Sequence, residues 1–98
     1  MTAPSLPDLF FYSRPGCHLC DEARDMVIAV LAERAGHGLP VPVIVERDIE
    51  TDPAWERAYL AEIPVVELGA RRLELVTSMA KVRRLLSETL DEPVPAPR

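Results

Sequence analysis

Cysteine is scarce in this 98-residue chain: there are two, and both fall within one four-residue step, Cys17-His18-Leu19-Cys20. A small secreted domain held by disulfides spreads several cysteines along its length. A bridge across four residues encloses almost no loop and stabilises little as a staple. No apolar run approaches the ~20 residues that span a bilayer. The opening MTAPSLPDLFFYS lacks the basic stretch that begins a secretory signal. The expectation is a reducing, cytoplasmic setting with no membrane partner. Excess positive charge is also missing, since the formal net charge is −5. Phosphate contacts need clustered Lys and Arg, so nucleic acid is not expected as a partner. The basic groups at Arg71-Arg72 and Lys81/Arg83/Arg84 read as solvated faces. What is present is a 48% apolar share, too high for wholesale disorder. The length fits one domain, residues 1–98, with a modest core.

The pattern predicts the order β-α-β-α-β-β-α. LPDLFFYS (6–13) ends in a dense apolar run and reads as a buried strand, broken by Pro15 and Gly16. A helix from Cys17 to about Arg34 carries Ala23, Met26, Val27, Val30 and Leu31 on one face, and Gly36 and Gly38 stop it. VPVIVERDI (41–49) is a β-branched strand, placed at a sheet edge by Pro42. Thr51 or Asp52 caps a short helix with Pro53 in its first turn, and Ala54, Ala58 and Leu60 or Ala61 offer its apolar face. IPVVEL (63–68) and RRLELV (71–76) form a hairpin around Gly69-Ala70. Thr77 or Ser78 caps a last helix that buries Met79, Val82, Leu85, Leu86 and Leu90. DEPVPAPR (91–98) reads as a frayed tail. A parallel β-α-β half followed by a hairpin and closing helix gives a four-stranded mixed sheet with helices on both faces, an α/β fold.

Two cysteines at this spacing can hold a metal, staple a loop or exchange electrons. Their position between a strand and a helix resembles the glutaredoxin branch of the thioredoxin fold, over residues 6 to 90. Three features carry the resemblance: Cys17-His18-Leu19-Cys20 at the helix start, the Tyr12-Ser13 ending of the first strand, and Ile63-Pro64-Val65 opening the third. The chain is particularly similar to small bacterial glutaredoxin-like proteins with the motif RPGCHLC. The resemblance implies a cis Ile63–Pro64 bond packed against the dithiol, with the Ile63 backbone free to pair with substrate. It also implies that Arg14 stands where a cation meets a glutathione carboxylate, and that His18 and Leu19, between the thiols, belong to the substrate-binding surface.

The chemistry fits these positions. A thiolate attacks disulfides and a thiol does not, and free N–H groups at a helix N-terminus favour the anion at Cys17. Cys20 lies one turn further in. The spacing suits a nucleophile at Cys17 and a resolving thiol at Cys20. A charged His18 would add to the stabilisation of the thiolate; a solvent-facing one would do little. Tyr12 reads as a packing residue.

Structural zinc wants four ligands, and the candidates are Cys17, Cys20, His18 and His37. His37 lies beyond an ~18-residue helix, roughly 27 Å away at 1.5 Å per residue, so one chain does not close that site. A metal or iron–sulfur cluster shared between two subunits is the alternative function, and a redox-silent interaction module is a third. The leading expectation is a monomeric thiol–disulfide oxidoreductase with no cofactor beyond its Cys17–Cys20 pair and no metal. Its partners would be protein or small-molecule thiols and a thioredoxin-type reductase. The segment Glu62-Ile63-Pro64 and the glycine-free ELVTSMAK depart from the glutaredoxin pattern for holding glutathione, which makes weak glutathione binding the expectation.

Overall fold

The computed structural model describes residues 6–91. Its elements are β1 (Leu9–Ser13), α1 (His18–Gly36), β2 (Ile44–Asp48), a 3-10 turn (Ile49–Thr51), α2 (Pro53–Tyr59), β3 (Val65–Leu68), β4 (Arg71–Leu73) and α3 (Met79–Leu90). The sheet order is β2-β1-β3-β4, with β1 parallel to β2 and antiparallel to β3, and β3 antiparallel to β4. This is the mixed four-stranded sheet that the sequence pattern predicts, with β2 at an edge. The segment 92–98 of the expected tail lies outside the described residues.

Alternation along β1 sorts the core. Leu9 and Phe11 join Val27, Val30 and Leu31 of α1 and Val82, Leu85 and Leu86 of α3 on one face. Tyr12 faces the other way, with Ile49, Ile63 and Val65, and Phe10, Trp55 and Tyr59 pack against that cluster. Burying an aromatic side chain such as Phe11 contributes about 1.5–3 kcal/mol.

The helix ends follow from local chemistry. Asp52 accepts the Ala54 N–H at 2.8 Å and Ser78 Oγ accepts the Lys81 N–H at 3.2 Å, which fixes the caps of α2 and α3. At the end of α1, Gly38 has φ 69°. That conformation lets Gly38 N–H reach Ala35 O at 3.1 Å and Leu39 N–H reach Arg34 O at 2.9 Å, a Schellman closure.

Four expectations need correction. The alanines of α2 do not form its inner face: Ala54, Ala58, Leu60 and Ala61 are exposed, and Trp55 and Tyr59 pack instead. Two small methyl groups offer less area than two large rings, so the helix turns its aromatic side inward. Strand β4 ends at Leu73, not Val76; Leu75 has φ 48°, and the chain beyond makes only two bonds to the neighbouring segment, Leu75 N–H to Glu62 O and Val76 N–H to Pro64 O. Pro64 has no N–H to return, so the ladder stops. Strand β3 correspondingly begins at Val65. Asp91 is not part of a loose tail. It follows α3 directly and pairs bidentately with Arg34, at 2.8 and 2.6 Å.

Candidate dithiol site

The loop from Ser13 to Cys17 brings the chain from β1 into α1. Gly16, with φ 75°, makes the reversal that a side chain would resist. Cys17 then occupies the N-cap of α1 with extended backbone, φ −93° and ψ 103°. Its Sγ sits where a Ser or Asp oxygen would, 3.1 Å from the Cys20 N–H that it accepts. The helix therefore aims a backbone donor at this sulfur, and that donor favours negative charge on it.

Cys17 and Cys20 are joined as a disulfide, with Cα atoms 5.2 Å apart. The two sulfurs are unequal. Cys20 is fully buried among Tyr12, Ile49, Ile63 and Val65, while Cys17 packs against the edge of that cluster and is partly exposed. Ile63 and Val65 bracket Pro64, which is buried, and the Ile63–Pro64 peptide bond is cis.

The remaining residues named from the sequence scatter around this pair. His18 is 86% exposed, and its Nε2 lies 3.1 Å from Glu22 one turn along the helix. Any charge on His18 is partly offset there and in water. Leu19 is half exposed. Arg14 is exposed and lines a cavity of about 320 Å³ with Asp21, Arg24, Glu46 and Asp48. Three carboxylates in that lining make it a poor receptor for another one. Arg24 is already held by Glu46 at 2.8 Å and Asp21 at 3.1 Å. Of the Ile63 backbone, expected to be free for substrate, the N–H is taken: it donates to Tyr59 O at 3.0 Å. The final turn of α2 runs directly into this segment, and its carbonyl takes the donor. Glu62 is not a loose negative charge: it pairs with Arg72, which also holds Glu74 at 2.7 Å.

His37 caps the far end of α1. Among the described residues no group of three or more His, Cys, Asp or Glu is placed to hold a metal ion.

A hydrogen-bonded network that the sequence does not announce lies next to Cys20, around Tyr12 and Tyr59. Tyr12 donates to Glu67 at 3.1 Å and accepts from Arg47 at 2.8 Å, while Tyr59 donates to the other Glu67 oxygen at 2.6 Å. Tyr12 and Tyr59 stack with centroids 4.2 Å apart, and the Arg47 guanidinium lies 4.0 Å from the Phe10 ring. Burial first, then the hydrogen bond to Glu67, pushes the Tyr59 hydroxyl above its ordinary range, so it remains a donor. The one signal in the sequence was Glu67 itself, a carboxylate inside the apolar strand VVEL.

A mixed sheet in the order β2-β1-β3-β4, a dithiol at the start of α1 and an X-Pro segment leading into β3 define a protein with the thioredoxin-like fold, of glutaredoxin type. The chain belongs to the glutaredoxin-like family: residues 8–90 match the family described as Glutaredoxin-like domain (DUF836). It is similar to the Northeast Structural Genomics target protein XcR50 from X. campestris, known from an X-ray structure. The identity is 28%, the match covers 81% of this chain and 95% of that one, and the TM-score is 0.64. No curated protein matches the chain. Among the described residues no helix is long and apolar enough to cross a membrane.

Proposed function

We propose that the protein is a thiol–disulfide oxidoreductase in which Cys17 attacks and Cys20 resolves. The observation that carries this reading is the inequality of the two bonded sulfurs. Cys17 is partly exposed and faces a helix N-terminal N–H, while Cys20 is sealed in the core beside it. In the reduced protein, the Cys17 thiolate attacks a substrate disulfide RS–SR′. A Cys17–SR bond forms, the S–S bond breaks, and R′S⁻ leaves and takes up a proton. Cys20 gives up its proton and attacks Cys17 Sγ. The Cys17–Cys20 bond forms and RS⁻ leaves. The substrate gains two electrons and the protein loses two, and an external thiol or dithiol donor restores the reduced form. The reverse sequence oxidises a substrate dithiol.

Glutathione is a poor fit as that donor. The Ile63 N–H is committed to Tyr59 O, Val76 and Thr77 carry side chains where the glutaredoxin pattern has glycines, and the cavity at Arg14 is lined by three carboxylates. A thioredoxin-type reductase or a partner protein dithiol suits the site better.

Both halves are tested by giving the reduced protein a model protein disulfide and, separately, a mixed glutathione disulfide. The expected result is two protein thiols consumed per protein disulfide reduced, and glutathione-coupled turnover well below ~10⁴ M⁻¹s⁻¹ in kcat/KM. Unchanged protein thiols would refute the oxidoreductase reading. Glutathione turnover at or above that value would refute only the choice of donor.

A further inference from the structure

Among the described residues, a basic cavity of this acidic chain is lined by none of the residues around the dithiol. A cavity of about 400 Å³ between β4 and α3 is lined by Arg71, Arg72, Lys81 and Arg84, with Glu88 as its one carboxylate. Arg71 is occupied by Glu88 at 2.9 Å and Arg72 by Glu62 and Glu74. The side chains of Lys81 and Arg84 make no hydrogen bond or ion pair among the described residues. Three positions apart on α3, these two cations are neighbours on one face.

The same cavity runs beside a sheet edge to which no further strand is paired among the described residues. β4 is the last strand in the order β2-β1-β3-β4. It follows β3 through the two-residue loop Gly69-Ala70, with Leu68 opposite Arg71 and Glu67 opposite Arg72. In such a hairpin the pair closing the loop exchanges both backbone hydrogen bonds and the next pair exchanges none, so the Arg72 N–H and C=O point outward from the hairpin.

We propose that this groove docks an acidic polypeptide segment, which adds as a short strand to the β4 edge and sets its carboxylates against Lys81 and Arg84. Same-face side chains on a strand repeat about every 7 Å, close to the ~5–6 Å between Cβ positions three apart on a helix. An added strand that runs along α3 thus matches the spacing of both cations. Main-chain bonds to Arg72 supply pairing and the cations supply selection, as in other strand-addition modes. A polypeptide is favoured over nucleic acid because the chain as a whole carries a formal net charge of −5, which repels a long polyanion. The docking step stands apart from the dithiol chemistry; with that chemistry it would raise the local concentration of a disulfide carried on the same partner.

The test is fluorescence anisotropy of a rhodamine-labelled peptide with alternating Glu and Thr, titrated with the full chain at low salt. Saturable binding is expected, weakened about fivefold or more in Lys81→Gln/Arg84→Gln, because each exposed pair contributes modestly. Binding should also weaken at about 1 M salt, where the Debye length is ~3 Å, and in the peptide with Gln for Glu. A peptide N-methylated at alternate residues should bind more weakly in at least one of its two registers. Arg57→Gln, on an exposed position of α2, should leave binding unchanged. No saturable binding of the acidic peptide, or equal binding by the Lys81/Arg84 variant or by the Gln peptide, would overturn the proposal. Binding by both N-methylated peptides as tight as that of the unmethylated peptide would overturn the strand pairing.

Discussion

Cys17→Ser is expected to abolish disulfide reduction, taking turnover to background, whereas Cys20→Ser should still attack once and then stall. The difference follows from position. Cys17 is the partly exposed sulfur and the one that accepts a backbone N–H at the start of α1. Cys20 is fully buried, so an incoming disulfide does not reach it without local opening. In the Cys20→Ser variant the mixed disulfide has no internal thiol to displace the substrate. Intact-mass measurement after mixing with a disulfide should show a stable adduct on Cys20→Ser and none on Cys17→Ser. Reversed phenotypes would exchange the two roles, and an adduct on neither variant would remove the exchange mechanism.

The second large effect concerns stability. Arg34 is buried near the end of α1, donates to Pro40 O at 2.7 Å and meets Asp91 through two parallel hydrogen bonds. This contact ties α1 to the end of α3. Asp91→Asn leaves a buried guanidinium with its charge uncompensated. Because the Asp91 side chain is 25% exposed, the expected loss is about 2–3 kcal/mol, below the ~3–5 kcal/mol of a fully buried pair. The hydrogen bonds from Arg34 hold the Asp91 carboxyl below its ordinary value, against the opposing effect of burial. A depressed folded-state pKa gives stability that is present above the unfolded value, ~3.9 for Asp, and is lost as pH falls through the folded value. Urea unfolding should therefore show the largest gap between native protein and Asp91→Asn near neutral pH, narrowing in acid. A gap below about 0.5 kcal/mol at pH 7 would place this pair among surface bridges.

Local signals in the sequence carried far. A cap at Thr51 or Asp52 and another at Thr77 or Ser78, the glycine closure after α1, the dense apolar run of β1 and the i, i+3/i+4 faces of α1 and α3 depend on near neighbours, and the structure places the caps at Asp52 and Ser78 and contains the rest. The position of the dithiol at a helix start was legible for the same reason. Contacts between distant segments were not. Arg34 and Asp91 are 57 residues apart, and neither a charged residue in a helix nor one before three prolines announces its partner. Tyr12 meets Glu67 across 55 residues. The inner face of α2 is set by ring size at Trp55 and Tyr59, which the spacing of the alanines does not reveal. The commitment of the Ile63 N–H to Tyr59 depends on where α2 ends relative to β3, which periodicity does not specify.

On the proposed mechanism the fold prepares Cys17 as a thiolate. The measurement that tests it most directly is the pH dependence of the alkylation rate of Cys17 in the reduced protein. The N-cap position and the Cys20 N–H predict a midpoint below the ~8.5 of a free cysteine. A midpoint at or above that value would contradict the account, because the start of α1 would then do nothing for the sulfur that stands on it.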